Sequence, residues 1–314
     1  MLSAFFLGQI LIYNVDMQKN IAIIGAGRIG DAFSRIFIKQ GYDVSMWDKE
    51  EGKVPNQKDI SEIVRNADLV FLCVPSWALR DVCRGIQNDV PHHAFIIALA
   101  KGLERGTRKT PDEIIGEFFH KKKFGMLGGP MLAEELNLGH VGVGMIGAQN
   151  GEIFEKVKAA FSGSAVRFLY TKDMHGVALG GVLKNTYALA FGIADGLEWS
   201  GNAKGWLLVK SMNEITRLSR ILGGRKKTVL DVAGLGDLAT CGFSEYSRNR
   251  KAGQDVLEDG KFDIQSEGVI SAPSVFGLVG KKVKKFEILS ALEKIMVERK
   301  DPRTIFENIL DSIS

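Results

Sequence analysis

The chain has 314 residues and carries 41 Lys+Arg against 37 Asp+Glu, a formal net charge of +4. Hydrophobic residues are 45% and charged residues 25%, which excludes disordered, collagen-like and disulfide-scaffold classes. The mild basicity suits anionic small substrates and falls short of the concentrated charge of a nucleic-acid binder, so no nucleic-acid partner is expected.

Residues 1–16, MLSAFFLGQILIYNVD, are mostly apolar and precede the first basic residue, Lys19. They lack the charged start and small-residue cleavage site of a signal peptide. They are also shorter than the ~20 residues that cross a bilayer. An unstructured extension over 1–16 is expected, with translation starting at Met17. No later stretch reads as a membrane span, so no membrane insertion is expected.

Alternating strand and helix patterns follow. Strands are predicted at Asn20–Gly25, Asp43–Trp47, Asp68–Pro75, Ala94–Leu99, Phe124–Leu127, Val141–Ile146 and Val166–Tyr170. Amphipathic stretches such as Ile29–Gln40 and Trp77–Gly85 separate several of them. This alternation predicts an α/β fold, a Rossmann-like doubly wound parallel sheet covered on both faces. From Asp173 the period becomes helical, with long helices predicted over 173–199 and 203–222. Further helices are predicted at Arg248–Leu257, Ser274–Val279 and Glu287–Arg299. The length exceeds what one core usually fills. Two domains are therefore expected, a sheet-containing one at 17–172 and an all-α one at 173–314.

Cys73, Cys83 and Cys241 are odd in number, irregularly spaced and without a C-x-x-C. Neither a disulfide frame nor a thiolate zinc site follows, and a reduced cytoplasm is the simplest setting. The five histidines show no metal-binding spacing, so no metal is expected.

Residues 25–30 read GAGRIG between a strand and a helix, and Asp48 ends the second strand 18 residues after Gly30. In this pattern Gly25 permits the tight turn and Gly27 lets backbone approach a pyrophosphate. Gly30 lets helix and strand pack closely, and the helix N-terminus favours the anion. Arg28 and Ile29 lie within the loop. Asp48 can accept from the adenosine ribose hydroxyls, which favours NAD; adjacent Lys49 pulls towards NADP or is a solvated loop lysine.

Lys184 and Asn185 interrupt a long apolar helix. A buried lysine loses hydration, so its pKa is expected to fall towards neutrality, which suits proton exchange with an alkoxide. The bland alternative is a lysine snorkelling out of an apolar face. Gly180 and Gly181, one turn earlier, have room for another backbone or a ligand. Residues 234–249, GLGDLATCGFSEYSRN, end in Ser247, Arg248 and Asn249 at a predicted helix start. These are donors suited to phosphate, or a helix cap with a surface arginine. ALAKG at 98–102 puts Lys101 at the carboxyl edge of the sheet, and GPMLAE at 129–134 offers a turn and backbone N–H groups nearby. The basic runs Lys121–Lys123, Arg225–Lys227 and Lys281–Lys285 read as solvated faces.

Taken in order, the motifs resemble the soluble NAD(P)-dependent glycerol-3-phosphate dehydrogenases of the bacterial type. The pieces are GAGRIG, CVPS at 73–76, AKG at 100–102, GP-x-x-AE at 129–134 and KN at 184–185. They continue with GNAKG at 201–205, E-x-x-R at 214–217, GLGDL at 234–238, SRN at 247–249 and EG at 267–268. The resemblance implies reversible interconversion of dihydroxyacetone phosphate and sn-glycerol 3-phosphate with NAD or NADP. Lys184 then looks like the proton donor, Lys101 the lysine near substrate and nicotinamide, and Asp237 the aspartate beside the catalytic lysine. Ser247, Arg248 and Asn249 match the phosphate trio, with Arg248 also near cofactor. Gly129 and the position of Met131 match substrate contacts. Ala133, Glu267, Arg28 and Ile29 match cofactor contacts. The resemblance also implies a homodimer that supplies glycerol phosphate for phospholipid synthesis.

The chain departs from the family pattern at Met131, which stands where Ser is usual, and at Arg28, which also replaces Ser. Lys49, with Asp48 before it, stands where a loop arginine is usual, and the Thr240-Cys241 pair comes one place early. Two other readings use the same residues: reduction of another small keto acid of the ketopantoate type, and a non-catalytic NAD-binding regulator.

Overall fold

The computed structural model describes residues 20–260, 262 and 266–312. The 1–16 extension and the Met17 start lie outside them. Seven strands form one sheet: β1 (Asn20–Ile24), β2 (Asp43–Trp47), β3 (Leu69–Leu72), β4 (Phe95–Ala98), β5 (Phe124–Gly128), β6 (Gly142–Ala148) and β7 (Val166–Thr171). Their spatial order is β2-β1-β3-β4-β5-β6-β7. The chain order reverses beside β1, at the carboxyl edge where ligands of doubly wound sheets bind.

The central strands are nearly continuous apolar runs because both faces are covered. Period-two alternation divides them between two cores. Ile21, Ile23, Phe71 and Ile97 face one side with Phe33, Phe37 and Phe161. Ala22, Ile24, Val70, Leu72 and Ile96 face the other with Leu79, Cys83 and Ile86. On the first side Phe33 and Phe37 meet Phe161 edge to face, at 4.9 and 4.7 Å between ring centroids. Such pairs add about 0.5–1.5 kcal/mol beyond their buried area.

One expectation is corrected: the sheet is not wholly parallel. β6 runs antiparallel to β5, and β7 is parallel to β6. Between β5 and β6 the only helix is the five-residue Ala133–Asn137. At 1.5 Å per residue it is too short to carry the chain back along a strand, so the chain turns instead. The ten-residue helix Gly151–Ala160 does make that return before β7.

After Thr171 every described element is helical. Met174–Gly196 is the axis of this half, buried on all sides along almost its whole length. It is long and apolar enough to cross a membrane, yet the apolar window is entirely buried inside the protein. Helices Gly201–Ile221, Arg248–Asp259, Glu267–Val279, Glu287–Met296 and Pro302–Asp311 follow in the chain, most of them packed directly on the axis. Arg248–Asp259 lies closest to it: a Cβ on Gly253 would come within 2.0 Å of the Leu189 carbonyl oxygen. Glu267–Val279 is longer than the predicted Ser274–Val279, because Pro273 sits inside the helix rather than before it.

Candidate active site

Where β1 ends, the chain turns at Gly25, whose φ of +104° few side chains tolerate. A Cβ on Gly30 would lie 2.1 Å from the Gly25 oxygen, so this glycine permits the close packing of helix Arg28–Lys39 on the turn. Gly27 is the opposite case. A Cβ there meets no protein atom, and the residue lines a cleft of about 770 Å³ between the sheet edge and the helical half. No side chain caps the helix that Gly27 opens, so its first N–H groups remain for an anion in the cleft. A dinucleotide fits this cradle.

Asp48, at the end of β2, accepts from the Ala26 N–H at 2.7 Å and the Glu50 N–H at 3.0 Å. Burial pulls its carboxyl up, but these bonds and Lys53, 3.2 Å away, bring it below the usual carboxylate range. Lys49 is exposed and does not line the cleft; Lys53 does. The pattern drew attention to Lys49 by adjacency, whereas the turn after β2 brings Lys53 back onto Asp48.

Lys184 enters the cleft from the middle of the long helix. Its Nζ lies 2.9 Å from Asp237 Oδ1 and 2.8 Å from Cys241 Sγ. Asp237 Oδ2 lies 2.5 Å from Lys101 Nζ, so one buried carboxylate bridges two amines. A π-helical turn, Val232–Gly236, delivers Asp237 to this place, and such turns recur at functional sites. Gly180 and Gly181 admit these neighbours, not a ligand. A Cβ at 180 would sit 2.6 Å from the Ala233 oxygen, and one at 181 would sit 2.9 Å from Lys101 Cγ.

The electrostatics correct the expectation for Lys184. Burial alone pulls the ammonium down, but the charge of Asp237 and the Cys241 sulfur more than offset it, and its pKa rises above the ordinary lysine value. For Asp237 burial pulls up while Lys101 and Lys184 pull down harder, and its carboxyl stays below the usual range. Cys241 is the partner that sequence reasoning did not assign. Its signal was present, because it stands four residues after Asp237 and so shares that helix face.

The SRN residues divide by task. Ser247 caps helix Arg248–Asp259, accepting from the Arg250 N–H at 3.3 Å. The Asn249 amide donates to Asn185 Oδ1 at 2.8 Å, and its oxygen accepts from Gly268 N–H at 2.8 Å and from Ser266. Asn185 in turn donates to the Lys101 carbonyl at 2.9 Å. Asn185 thus ties the helical half to the Lys101 segment, and Asn249 fixes the Asn185 side chain from behind. Arg248 lines the cleft, is exposed, and makes no ion pair among the described residues. It is the free guanidinium fork of the site.

The remaining predicted residues lie around the same cleft. Gly129, at φ +119°, turns its carbonyl towards Lys101 Nζ at 3.4 Å. Met131, Ala133, Ile29 and Arg28 line the cleft, and Arg28 pairs with Glu134. Glu267 accepts from the Ser76 N–H and hydroxyl, both at 2.8 Å, which ties the helical half to the helix Ser76–Ile86. Burial lifts its carboxyl above the ordinary value.

Comparison with known proteins agrees with this geometry. Residues 49–153 match the family model for the N-terminus of NAD-dependent glycerol-3-phosphate dehydrogenase, and residues 173–307 match the model for its C-terminus. A glycerol-3-phosphate dehydrogenase [NAD(P)+] of Fusobacterium nucleatum is 33% identical over 313 residues, covering 90% of this chain and 93% of that one. The crystal structure of glycerol-3-phosphate dehydrogenase from Coxiella burnetii superposes with a TM-score of 0.85 at 25% identity, over 94% of this chain and 99% of that one. A PanE/ApbA-family ketopantoate reductase from Ralstonia eutropha JMP134 shares the fold alone, with a TM-score of 0.55 at 14% identity over 92% of this chain and 99% of that one. An anion-ready glycine turn, a carboxylate-bridged lysine pair and this likeness along nearly the whole chain lead to one conclusion: the protein belongs to the NAD(P)-dependent glycerol-3-phosphate dehydrogenase family.

Proposed function

We propose that the chain interconverts dihydroxyacetone phosphate and sn-glycerol 3-phosphate, with Lys184 exchanging the proton. One observation carries the reading: Lys184, Asp237 and Lys101 form a single ion cluster in the cleft that also holds the glycine turn and Arg248. Residues 17–172 act as the cofactor domain and 173–314 as the substrate domain.

The glycine turn at Gly25–Gly30 would hold a nicotinamide dinucleotide, which when bound would supply the hydride for the carbonyl carbon in the reducing direction. The protein does the rest. Arg248 grips the substrate phosphate, with the positive field of the nearby helix start behind it. Holding the ketone by its anionic end against the reacting face is worth about 7–11 kcal/mol when geometry is right. Lys184 donates from Nζ to the oxygen as negative charge develops there. Its raised pKa does not hinder this, because an alkoxide is a far stronger base than any amine. Lys101 brings a second amine close by, and the charge of Asp237 holds the buried Lys184 in its ammonium form. In oxidation the same Nζ must first lose its proton, so that direction favours high pH.

Asp48 favours NAD over NADP, since a ribose 2′-phosphate would meet its carboxylate. A homodimer in the cytoplasm, feeding glycerophospholipid synthesis, completes the proposal. The test is NADH oxidation by the purified protein with dihydroxyacetone phosphate and, in parallel, with ketopantoate. Turnover of the first supports the assignment. Turnover of ketopantoate alone, or NADH binding without oxidation by any phosphorylated ketone, overturns it.

A further inference from the structure

The helical half carries a second concavity, of about 650 Å³, that shares no lining residue with the cleft. Helices Gly201–Ile221, Glu287–Met296 and Pro302–Asp311 wall it, together with the 3-10 turn Gly280–Lys285. The E-x-x-R motif opens onto it through Glu214 and Arg217, a motif for which the catalytic cleft has no use.

The charges in this groove do not balance. Five cations line it, Lys210, Arg217, Lys284, Lys285 and Lys294, against Glu214 and Glu287. Glu287 is already paired with Lys210 at 2.5 Å. Glu214 lies at the buried floor, accepting from the Tyr187 hydroxyl at 2.8 Å and from the Ile288 and Leu289 N–H groups at 3.0 and 3.2 Å. Arg217, Lys284, Lys285 and Lys294 are left without an ion pair among the described residues. The Arg217 guanidinium is held in place, 4.9 Å above the Phe286 ring.

We propose that this groove binds a small phosphate-rich anion carrying at least two phosphoryl groups. Five cations against two carboxylates leave an excess of three positive charges, more than one phosphate neutralises. They converge from three separate elements on a concave surface, where apolar walls such as Ala291 and Ile309 focus the field. Arg217 provides a fork that matches phosphate oxygens, and the lysines provide movable point charges around it. The volume suits a ligand of nucleotide size. This reading replaces the solvated-face reading of Lys284 and Lys285.

The experiment is calorimetric titration of the full chain with inorganic tripolyphosphate and, separately, with ATP. Titrations are repeated on Lys285→Ala/Lys294→Ala and on Lys282→Ala. All three lysines are exposed, and Lys282 lies in the same basic run but does not line the groove. Melting curves verify that each variant folds. The double variant is expected to weaken tripolyphosphate by about tenfold or more, with Lys282→Ala unchanged. Equal affinity for the two probes assigns the site to a phosphate chain alone, and tighter ATP assigns it to a nucleotide; both support the site. No binding by either probe overturns it. So does an affinity unmoved in the double variant, which places the anion in the catalytic cleft, or equal losses in both variants, which reduce the effect to diffuse charge.

Discussion

Asp237 Oδ1 lies 2.9 Å from Lys184 Nζ while its other oxygen lies 2.5 Å from Lys101 Nζ. One carboxylate thus joins a buried amine, Lys184, to a partly exposed one, Lys101. Lys184→Ala is expected to lower kcat by about 10²–10⁴, the usual weight of general acid–base catalysis. The dissociation constant for NADH should change little. Steady-state kinetics and a fluorescence titration measure the two quantities separately.

Asp237→Asn leaves the buried Lys184 ammonium without its carboxylate partner and removes the charge that also holds partly exposed Lys101. Breaking a buried ion pair from one side costs about 3–5 kcal/mol. The variant should melt well below the parent and lose turnover, whereas Lys101→Ala/Asp237→Asn should recover part of the melting temperature. Thermal unfolding of the pair checks this.

After the charge of Asp237, the Cys241 sulfur is the next group that raises the Lys184 pKa. Cys241→Ala should therefore lower it. In glycerol 3-phosphate oxidation, where the neutral amine is needed, the rising limb of kcat/KM then moves to lower pH. A pH–rate series on parent and variant reads the shift; an unmoved limb means that the sulfur does not act on Lys184.

Arg248→Ala should chiefly raise KM for the phosphorylated substrate. Losing charge-assisted hydrogen bonds worth about 1.5–3 kcal/mol corresponds to roughly 10- to 150-fold. Asp48→Ala should raise the use of NADPH relative to NADH, measured as the ratio of kcat/KM values.

His175 gives a pH test of the fold. Its Nδ1 faces Asp112 Oδ2 at 3.0 Å and its Nε2 faces the Leu222 carbonyl at 2.9 Å, so both nitrogens meet acceptors and the imidazolium is favoured. Asp112 more than offsets burial and raises the pKa to about 9. A folded pKa above the unfolded one stabilises fully below about pH 6.5. That contribution fades as pH rises through about 9. The melting temperature should fall across this window, and His175→Asn should flatten the slope.

Much of this molecule was legible in its residues, for identifiable reasons. All seven strands were visible because apolar β-branched runs end at glycine-rich or polar turns. The direction of β6 was not, since strand direction depends on how far the intervening chain can travel. Short helices such as Ile60–Arg65 and Pro111–Ile115 carry too few turns to show a period, and packing rather than propensity stabilises them. Lys184 and Asp237 stood out as charges in apolar or glycine-rich surroundings. Their effect on each other did not, because the pKa of Lys184 is set by partners 53 and 57 residues along the chain. Asn249 looked like a phosphate donor and does line the cleft; that one of its amide N–H groups also donates to Asn185 while its oxygen accepts from Gly268 and Ser266 is visible only once the helices are packed.

The central claim concerns where one amine sits relative to one oxygen. A crystal structure with NADH and a non-reducible dihydroxyacetone phosphate analogue measures it directly. Lys184 Nζ is expected at about 2.6–3.2 Å from the reacting oxygen, with the analogue's phosphate on Arg248. An analogue bound with its oxygen on another donor, and Lys184 still enclosed between Asp237 and Cys241 out of reach, would contradict it.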